Sequence, residues 1–223
     1  MKGLARLSAP AAGIIIAVLA IVVLAADQAS KQLAVTRLTE FEPVQVLGEA
    51  LQWNLVFNPG AAFSLGEGVT WIFTIALALV ACAIVFLAIT RVRTRSWAIV
   101  LGLLLGGVLG NLTDRLFRDP GFGVGHVVDF ILTPWMWFWT NPAIYNVADM
   151  FIVCGMIAVA VLVLIGINFD GTRGDKPSEA ALDEPDAEDA ESDDTEPDEE
   201  TDSSSAPLRR DRSGRAKESL GDD

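Results

Sequence analysis

Two carboxylates, Asp129 and Asp149, bracket a stretch of 19 residues, 130–148, that carries no charge of its own. Asp129 stands among β-branched and aromatic neighbours in GHVVDFI, and Asp149 stands in IYNVADMFI, where an apolar run begins. Two acids brought together at an apolar boundary suit general acid–base chemistry. Mutual repulsion and poor solvation make one of them keep its proton, while the other, ionised, can activate a water molecule. A carboxylate at the start of a helix also complements the helix dipole, so capping is an equally simple reading of Asp149. No such reading covers Asp129. Spacing alone does not bring the two together.

Other polar groups gather near them. Asp27 and Lys31, four residues apart in ADQASKQL, form the favoured acid-before-base ion pair if the helix there continues. The spacing leaves open whether they anchor the helix end or touch a substrate. In FNPGAAFSLG, residues 57–66, Asn58, Pro59 and Gly60 predict a tight turn after a short strand, LQWNLVF. An ordinary hairpin turn and a turn that offers its backbone groups to another chain fit equally well. In GLLLGGVLGNLTDRLF, Gly102, Gly106 and Gly110 recur every fourth residue and predict a smooth ridge for close helix packing. Asn111 and Arg115 follow on a shared face, with Asp114 between them, so amide and guanidinium can enter one pocket; a snorkelling arginine is the alternative.

These residues must be positioned by apolar elements. Residues 7–26, 68–90, 96–113 and 150–169 are four uncharged apolar runs, each long enough to cross a bilayer as a helix. A cleavable secretory signal is the rival reading of the first. Lys2 and Arg6 precede the first run, Arg91, Arg93 and Arg95 crowd the link between the second and third, and Arg173 and Lys176 follow the fourth. Four spans put all of these on one side, expected to be cytoplasmic, and the loops 27–67 and 114–149 on the other. Lys31, Arg37, Arg115 and Arg118 in the outer loops are exceptions to that rule. The stretch 130–148 could be a fifth span, which would put the two acids on opposite faces. Pro134, Asn141 and Pro142, together with Trp135, Trp137 and Trp139, instead predict a segment lying in the outer interface.

Charge is divided sharply along the chain. Residues 1–169 hold nine acids and nine bases, whereas 170–223 hold twenty acids and seven bases, so the net charge of −13 belongs to the tail. That tail, rich in Asp, Glu, Ser and Pro, is expected to be disordered. Its RRDRSGRAK segment either meets anionic lipid or is simply solvated. His126 is the only histidine, which excludes an HExxH site, and no Cys/His cluster points to a protein-bound metal. Cys82 and Cys154 lie in apolar runs and read as small core residues.

Five motifs in order along residues 12–168 resemble lipoprotein signal peptidase, or signal peptidase II, a family of four-span aspartic peptidases. They are D-Q-x-x-K at Asp27–Lys31, N-x-G-A-A-F-S at Asn58–Ser64, G-G-x-x-G-N-x-x-D-R at Gly106–Arg115, V-V-D-F at Val127–Phe130 and N-x-A-D at Asn146–Asp149. The resemblance implies a membrane bundle of four transmembrane helices, with a small extracytoplasmic β-sheet cradle in loop 32–67 and a Trp-rich segment packing over the site. It implies an endopeptidase that cuts a bacterial prolipoprotein just before the lipobox cysteine, once that cysteine carries diacylglycerol. Asp129 and Asp149 become the catalytic dyad. Asn58, Gly60, Asn111, Arg115 and Asn146 hold substrate or orient the acids, and Asp27, Lys31 and Asp114 support the architecture. Tyr145 departs from the family, which usually has phenylalanine there, as does Met150, where a small residue is common.

The expected protein is therefore a peptidase domain over 1–169 and an acidic cytoplasmic tail over 170–223. It would sit in the bacterial cytoplasmic membrane as a monomer, with both termini inside and the site near the outer face. Its partners would be diacylated prolipoproteins and membrane lipids, not nucleic acid, and the reaction would need no metal or other cofactor. A transporter relaying protons through Asp129, Asp149, Asp114 and Arg115 would instead spread polar groups through the depth of the spans. A non-catalytic scaffold acting through its tail would tolerate loss of either aspartate.

Overall fold

The computed structural model describes residues 6–60, 69–137 and 142–172. Four helices are long and apolar enough to cross a membrane: α1 (Ala9–Arg37), α2 (Thr70–Thr90), α3 (Arg95–Phe117) and α4 (Val147–Leu164). Side chains apolar on every face suit helices whose outward surface meets lipid. The third helix is the exception. Of its most apolar window 61% is buried, against 11–22% in the other three, because α3 packs against α1, α2 and α4 at once.

Glycine makes that central position possible. A Cβ added to Gly106 would lie 2.5 Å from Val23 Cβ, and one on Gly110 would lie 2.5 Å from Asp27 Oδ2, so this ridge is where α1 seats. Gly107, one residue round the helix, brings α4 equally close: its Cβ would lie 2.6 Å from the Ala148 carbonyl. Gly106→Ala is expected to lower the midpoint of thermal unfolding in detergent, since overpacking of this kind costs about 1–3 kcal/mol. Gly13→Ala is the control, because nothing lies within 4 Å of a Cβ there. Equal midpoints for Gly106→Ala and wild type would show that α1 does not depend on this ridge.

At the end of the bundle away from the α2–α3 link, four strands form an antiparallel sheet in the order β1 (Val44–Leu47), β2 (Leu51–Asn58), β3 (Val127–Leu132) and β4 (Ile144–Tyr145). Alternation along β3 divides its side chains between two faces. Val128 and Phe130 pack with Ala34 and Leu55 into a second apolar core. Asp129, opposite Val56 on β2, is thereby turned to the other face. The chain reverses after β3, passes through a 3-10 turn at Pro134–Trp137, and returns as β4, where Tyr145 pairs with Ile131. Asn146 follows directly as the N-cap of α4. A hairpin return, not a membrane crossing, thus separates the two acids, and no helix of spanning length lies in the described part of 130–148.

The far end of the bundle is tied by hydrogen bonds to backbone carbonyls. Leu7 N–H donates to the Arg93 carbonyl at 2.7 Å, Arg93 N–H to Phe169 at 2.8 Å, and Trp97 Nε1 to the Ile167 carbonyl at 2.8 Å.

Several boundaries differ from the sequence reading. The first helix continues to Arg37, eleven residues past the predicted end of the span, because the polar groups after Ala26 find partners on α3. The fourth begins at Val147, which places Asp149 in its first turn, and ends at Leu164. The sheet is not confined to loop 32–67, since β3 and β4 complete it. Cys82 and Cys154 are exposed, not core residues. In a membrane helix the outward face is as apolar as the inward one, so hydrophobicity does not reveal burial. Ala61–Ser64, Trp139, Asn141 and the tail beyond Thr172 lie outside the described residues.

Candidate active site

The two carboxylates meet through amides. Asn146 Nδ2 donates to Asp129 Oδ1 at 2.7 Å, while its Oδ1 accepts the N–H of Asp149 at 3.0 Å. Asp149 reciprocates: its Oδ2 accepts the N–H of Asn146 at 3.1 Å, completing a capping box at the start of α4. Its other oxygen accepts Asn111 Nδ2 at 2.7 Å. Asn58 Nδ2 donates to the second oxygen of Asp129 at 3.0 Å. Every carboxylate oxygen of the pair therefore has an N–H donor. Capping and chemistry are not rival readings of Asp149, since the cap uses one oxygen and leaves the carboxylate facing the same cavity as Asp129.

Behind the amides lies a buried ion cluster. Lys31 Nζ is 2.8 Å from Asp27 Oδ2, 2.8 Å from Asp114 Oδ2 and 2.9 Å from Asn111 Oδ1, and all three charged side chains are fully buried. Those three acceptors use the whole donor capacity of the ammonium group. Asp27 Oδ1 also accepts the N–H of Ala148 at 2.9 Å, and Asp114 Oδ2 the N–H of Val128 at 3.2 Å. Each acid thus fixes the backbone of the residue immediately before one of the two site carboxylates. Full burial and pairing of Asp27 and Lys31 favour the anchoring reading over direct contact with a substrate. Gln28 Nε2 adds bonds to Asp27, the Gly110 carbonyl and Asp114, and Arg118 Nε donates to Asp114 at 2.6 Å.

Arg115 is buried and so does not snorkel. Its guanidinium donates to the carbonyls of Asn58, Pro59, Gly60 and Gly125, gathering the turn after β2 and the loop before β3. Gly60 N–H is bonded to Asn58 Oδ1 at 3.0 Å, and Thr70 Oγ1 donates to the Pro59 carbonyl at 2.6 Å. The turn's backbone groups are engaged inside the protein. This differs from the sequence reading in which they stay available, and the reason is the arginine four residues beyond Asn111.

Asp129 and Asp149 face a cavity of about 770 Å³, walled mainly by apolar side chains such as Phe73, Leu77 and Val80 on α2 and Ile152 and Val153 on α4. Burial first, and then the charge of Asp149, push the Asp129 carboxyl up to about 7, against the pull of the Asn58 and Asn146 amides and of Lys31. Among the described residues, three cations, Lys31, Arg115 and Arg118, and two further acids, Asp27 and Asp114, stand around the pair. One surplus positive charge remains. A pair carrying a single negative charge, and therefore a single proton, balances it. Such a pair can act as acid and base in one step.

All ten residues singled out in the sequence fall into this assembly. Asn58, Gly60, Asn111, Arg115 and Asn146 lie at or next to the acids, and Asp27, Lys31 and Asp114 lie behind them. Arg118 and Thr70 were not singled out as site residues, and Gln28 entered only through the D-Q-x-x-K motif. The spacing of Arg118 four residues after Asp114 on one helix is a usable signal, whereas nothing local marks Thr70.

Residues 19–165 match the family model described as signal peptidase (SPase) II. The chain is 51% identical over 160 residues to the lipoprotein signal peptidase of Leifsonia xyli subsp. xyli, covering 72% of this chain and 71% of that protein. It is 48% identical over 156 residues to the lipoprotein signal peptidase of Rhodococcus jostii, covering 70% and 75% of the two chains. Among solved structures, a bacterial membrane enzyme determined at 2.3 Å resolution superposes with a TM-score of 0.59 at 27% identity, covering 66% of this chain and 85% of that one.

Proposed function

The chain belongs to the signal peptidase II family, and we propose that it is a membrane-embedded aspartic endopeptidase acting on bacterial prolipoproteins. The bond cut is the one just before a lipobox cysteine that already carries diacylglycerol. The observation that carries this reading is Asn146, whose side chain bonds the Asp129 carboxylate and the Asp149 backbone N–H while its own N–H bonds the Asp149 carboxylate, so that one residue ties the two acids together.

In the proposed mechanism the pair begins with one proton. The ionised carboxylate takes a proton from water as the water oxygen bonds to the scissile carbonyl carbon. The protonated carboxyl gives its proton to the carbonyl oxygen, producing a neutral diol. The carboxyl that took the water proton then gives it to the cysteine nitrogen while the other carboxylate takes a proton from a diol hydroxyl. The C–N bond breaks, the signal peptide leaves with a new carboxyl end, and the pair again holds one proton. Asn58, Asn111 and Asn146 aim the acids, Arg115 and Gly60 hold the turn beside them, and Asp27, Lys31 and Asp114 fix the backbone beneath. Both proton donor and base come from the chain itself, so the reaction as proposed uses no cofactor.

The apolar cavity walls from α2 and α4 suit lateral arrival of a lipid-modified peptide from the bilayer. Arg6, Arg91, Arg93 and Arg95 all lie at the helix ends opposite the acids, which supports cytoplasmic termini and a site near the outer face of the cytoplasmic membrane. The membrane domain is then residues 1–169, and residues 170–223 a cytoplasmic tail. The test is cleavage by purified protein in detergent. A diacylated prolipoprotein should be cut before its lipidated cysteine, and equal cutting of the unlipidated precursor would contradict the substrate class.

The pH dependence follows from the raised carboxyl. Below about 7 the pair keeps its proton, and as pH rises through that value the second proton leaves, so a base remains with no acid. Above that point kcat/KM is expected to fall roughly tenfold per pH unit. A rate still rising between pH 8 and 9 would contradict a shared proton.

A further inference from the structure

Within the apolar wall of the cavity lies a short chain of polar side chains that the mechanism above does not use. Thr133, buried at the end of β3, has its hydroxyl 3.2 Å from Met136 Sδ and 3.4 Å from the Tyr145 hydroxyl. Thr133 has one proton to give; when that proton goes to the sulfur, the phenol of Tyr145 donates to Thr133. The contacts run from the Tyr145 hydroxyl through the Thr133 hydroxyl to Met136 Sδ. Tyr145 and Met136 both line the cavity that holds the two acids.

The chain of bonds joins the 3-10 turn after β3 to β4. Tyr145 belongs to β4 and immediately precedes Asn146, whose amide bonds the Asp129 carboxylate and the Asp149 N–H. Met136 belongs to the 3-10 turn at Pro134–Trp137, in which Trp135 is exposed and Met136 is 44% exposed. A thioether on three rotatable bonds has no preferred place at such a surface unless something fixes it. The Thr133 hydroxyl is that fixing contact, and Tyr145 sets the direction in which it points. From this juxtaposition we infer that Tyr145 and Thr133 are positioning residues for substrate fit. They aim Met136 into the cavity as part of the wall against which the precursor packs, without touching the proton chemistry.

This inference rests on the peptidase reading above, and the experiment separates the two. Steady-state cleavage of a diacylated prolipoprotein is measured for wild type, Tyr145→Phe, Thr133→Val, Met136→Ala and the Tyr145→Phe/Met136→Ala double variant. Tyr145→Phe removes one oxygen and keeps the ring, and unchanged thermal midpoints verify folding. KM is expected to rise roughly fivefold in Tyr145→Phe, about what a neutral hydrogen bond contributes. The kcat and the pH profile should stay at wild-type values. Met136→Ala should raise KM as much, and the double variant no further, because both act through one contact. If wild type leaves the precursor uncut, the peptidase reading fails and this inference with it. If wild type cuts and Tyr145→Phe keeps the wild-type KM, the positioning role alone is refuted. It is equally refuted if kcat or the pH profile moves, since the phenol would then act on the acids through Asn146, or if the two single effects simply add.

Discussion

Replacing Asp129 or Asp149 by asparagine is expected to lower kcat for the lipidated precursor by roughly 10²–10⁴-fold, the range attributed to a positioned acid or base. The two changes should be nearly equal, and the double variant little worse than either, because half of a shared-proton pair retains no useful part of the function. Asparagine keeps the shape of the side chain but not its hydrogen bonding. Both oxygens of Asp129 accept amide donors, from Asn58 and Asn146, so the new NH₂ group at position 129 must face one of them. Both oxygens of Asp149 are likewise occupied, by Asn111 and by the Asn146 backbone. One lost or opposed bond costs about 1–3 kcal/mol when buried, so stability has to be measured beside activity. Rates should be compared at a temperature where the unfolding curves show each variant folded. A folded asparagine variant that cleaves near the wild-type rate would rule out the dyad.

How much of this was legible beforehand depends on the kind of signal each residue sends. Asp27, Asp114, Asp129 and Asp149 stood out because a carboxylate in an apolar run is costly, and such a residue needs a partner wherever the fold puts it. The turn at Asn58–Gly60 announced itself through its own side-chain types. The glycine ridge on α3 was visible as a period of four, and it proved to be the seat of α1. The strand carrying Asp129 was not legible. In VVDFIL both faces of the strand are mostly buried, so the alternation that marks a half-exposed strand is missing. Ile144–Tyr145 is only two residues long and has meaning only beside Ile131 and Leu132. For the same reason the meeting of the two acids was not legible from spacing. It depends on a hairpin return and a helix cap, both set by tertiary pairing. Nor could the sequence separate lipid-facing from protein-facing side chains on α2 and α4, as Cys82 and Cys154 demonstrate.

The largest loss of stability is expected from Lys31→Met. The lysine is the sole cation bonded to Asp27 among the described residues, and it shares Asp114 with Arg118. Methionine fills much of the same volume but leaves Asp27 buried without a counter-charge, a situation that costs about 3–5 kcal/mol. The damage should not stop at the fold. Lys31 holds Asn111 Oδ1, and Asn111 Nδ2 holds Asp149, so the amide loses the contact that fixes which way round it sits. Asp27 and Asp114 would also be free to move with the backbone N–H groups of Ala148 and Val128, which precede the two site acids. Unfolding in detergent should therefore shift strongly, and the fraction that remains folded should cleave more slowly than wild type. Adding Asp27→Asn to Lys31→Met removes the stranded charge and should recover part of the stability, but not the rate, because Asn111 still lacks its lysine. Recovery of both would mean that Lys31 only balances charge. A Lys31→Met protein as stable as wild type would mean that the buried ion cluster does not hold the site together.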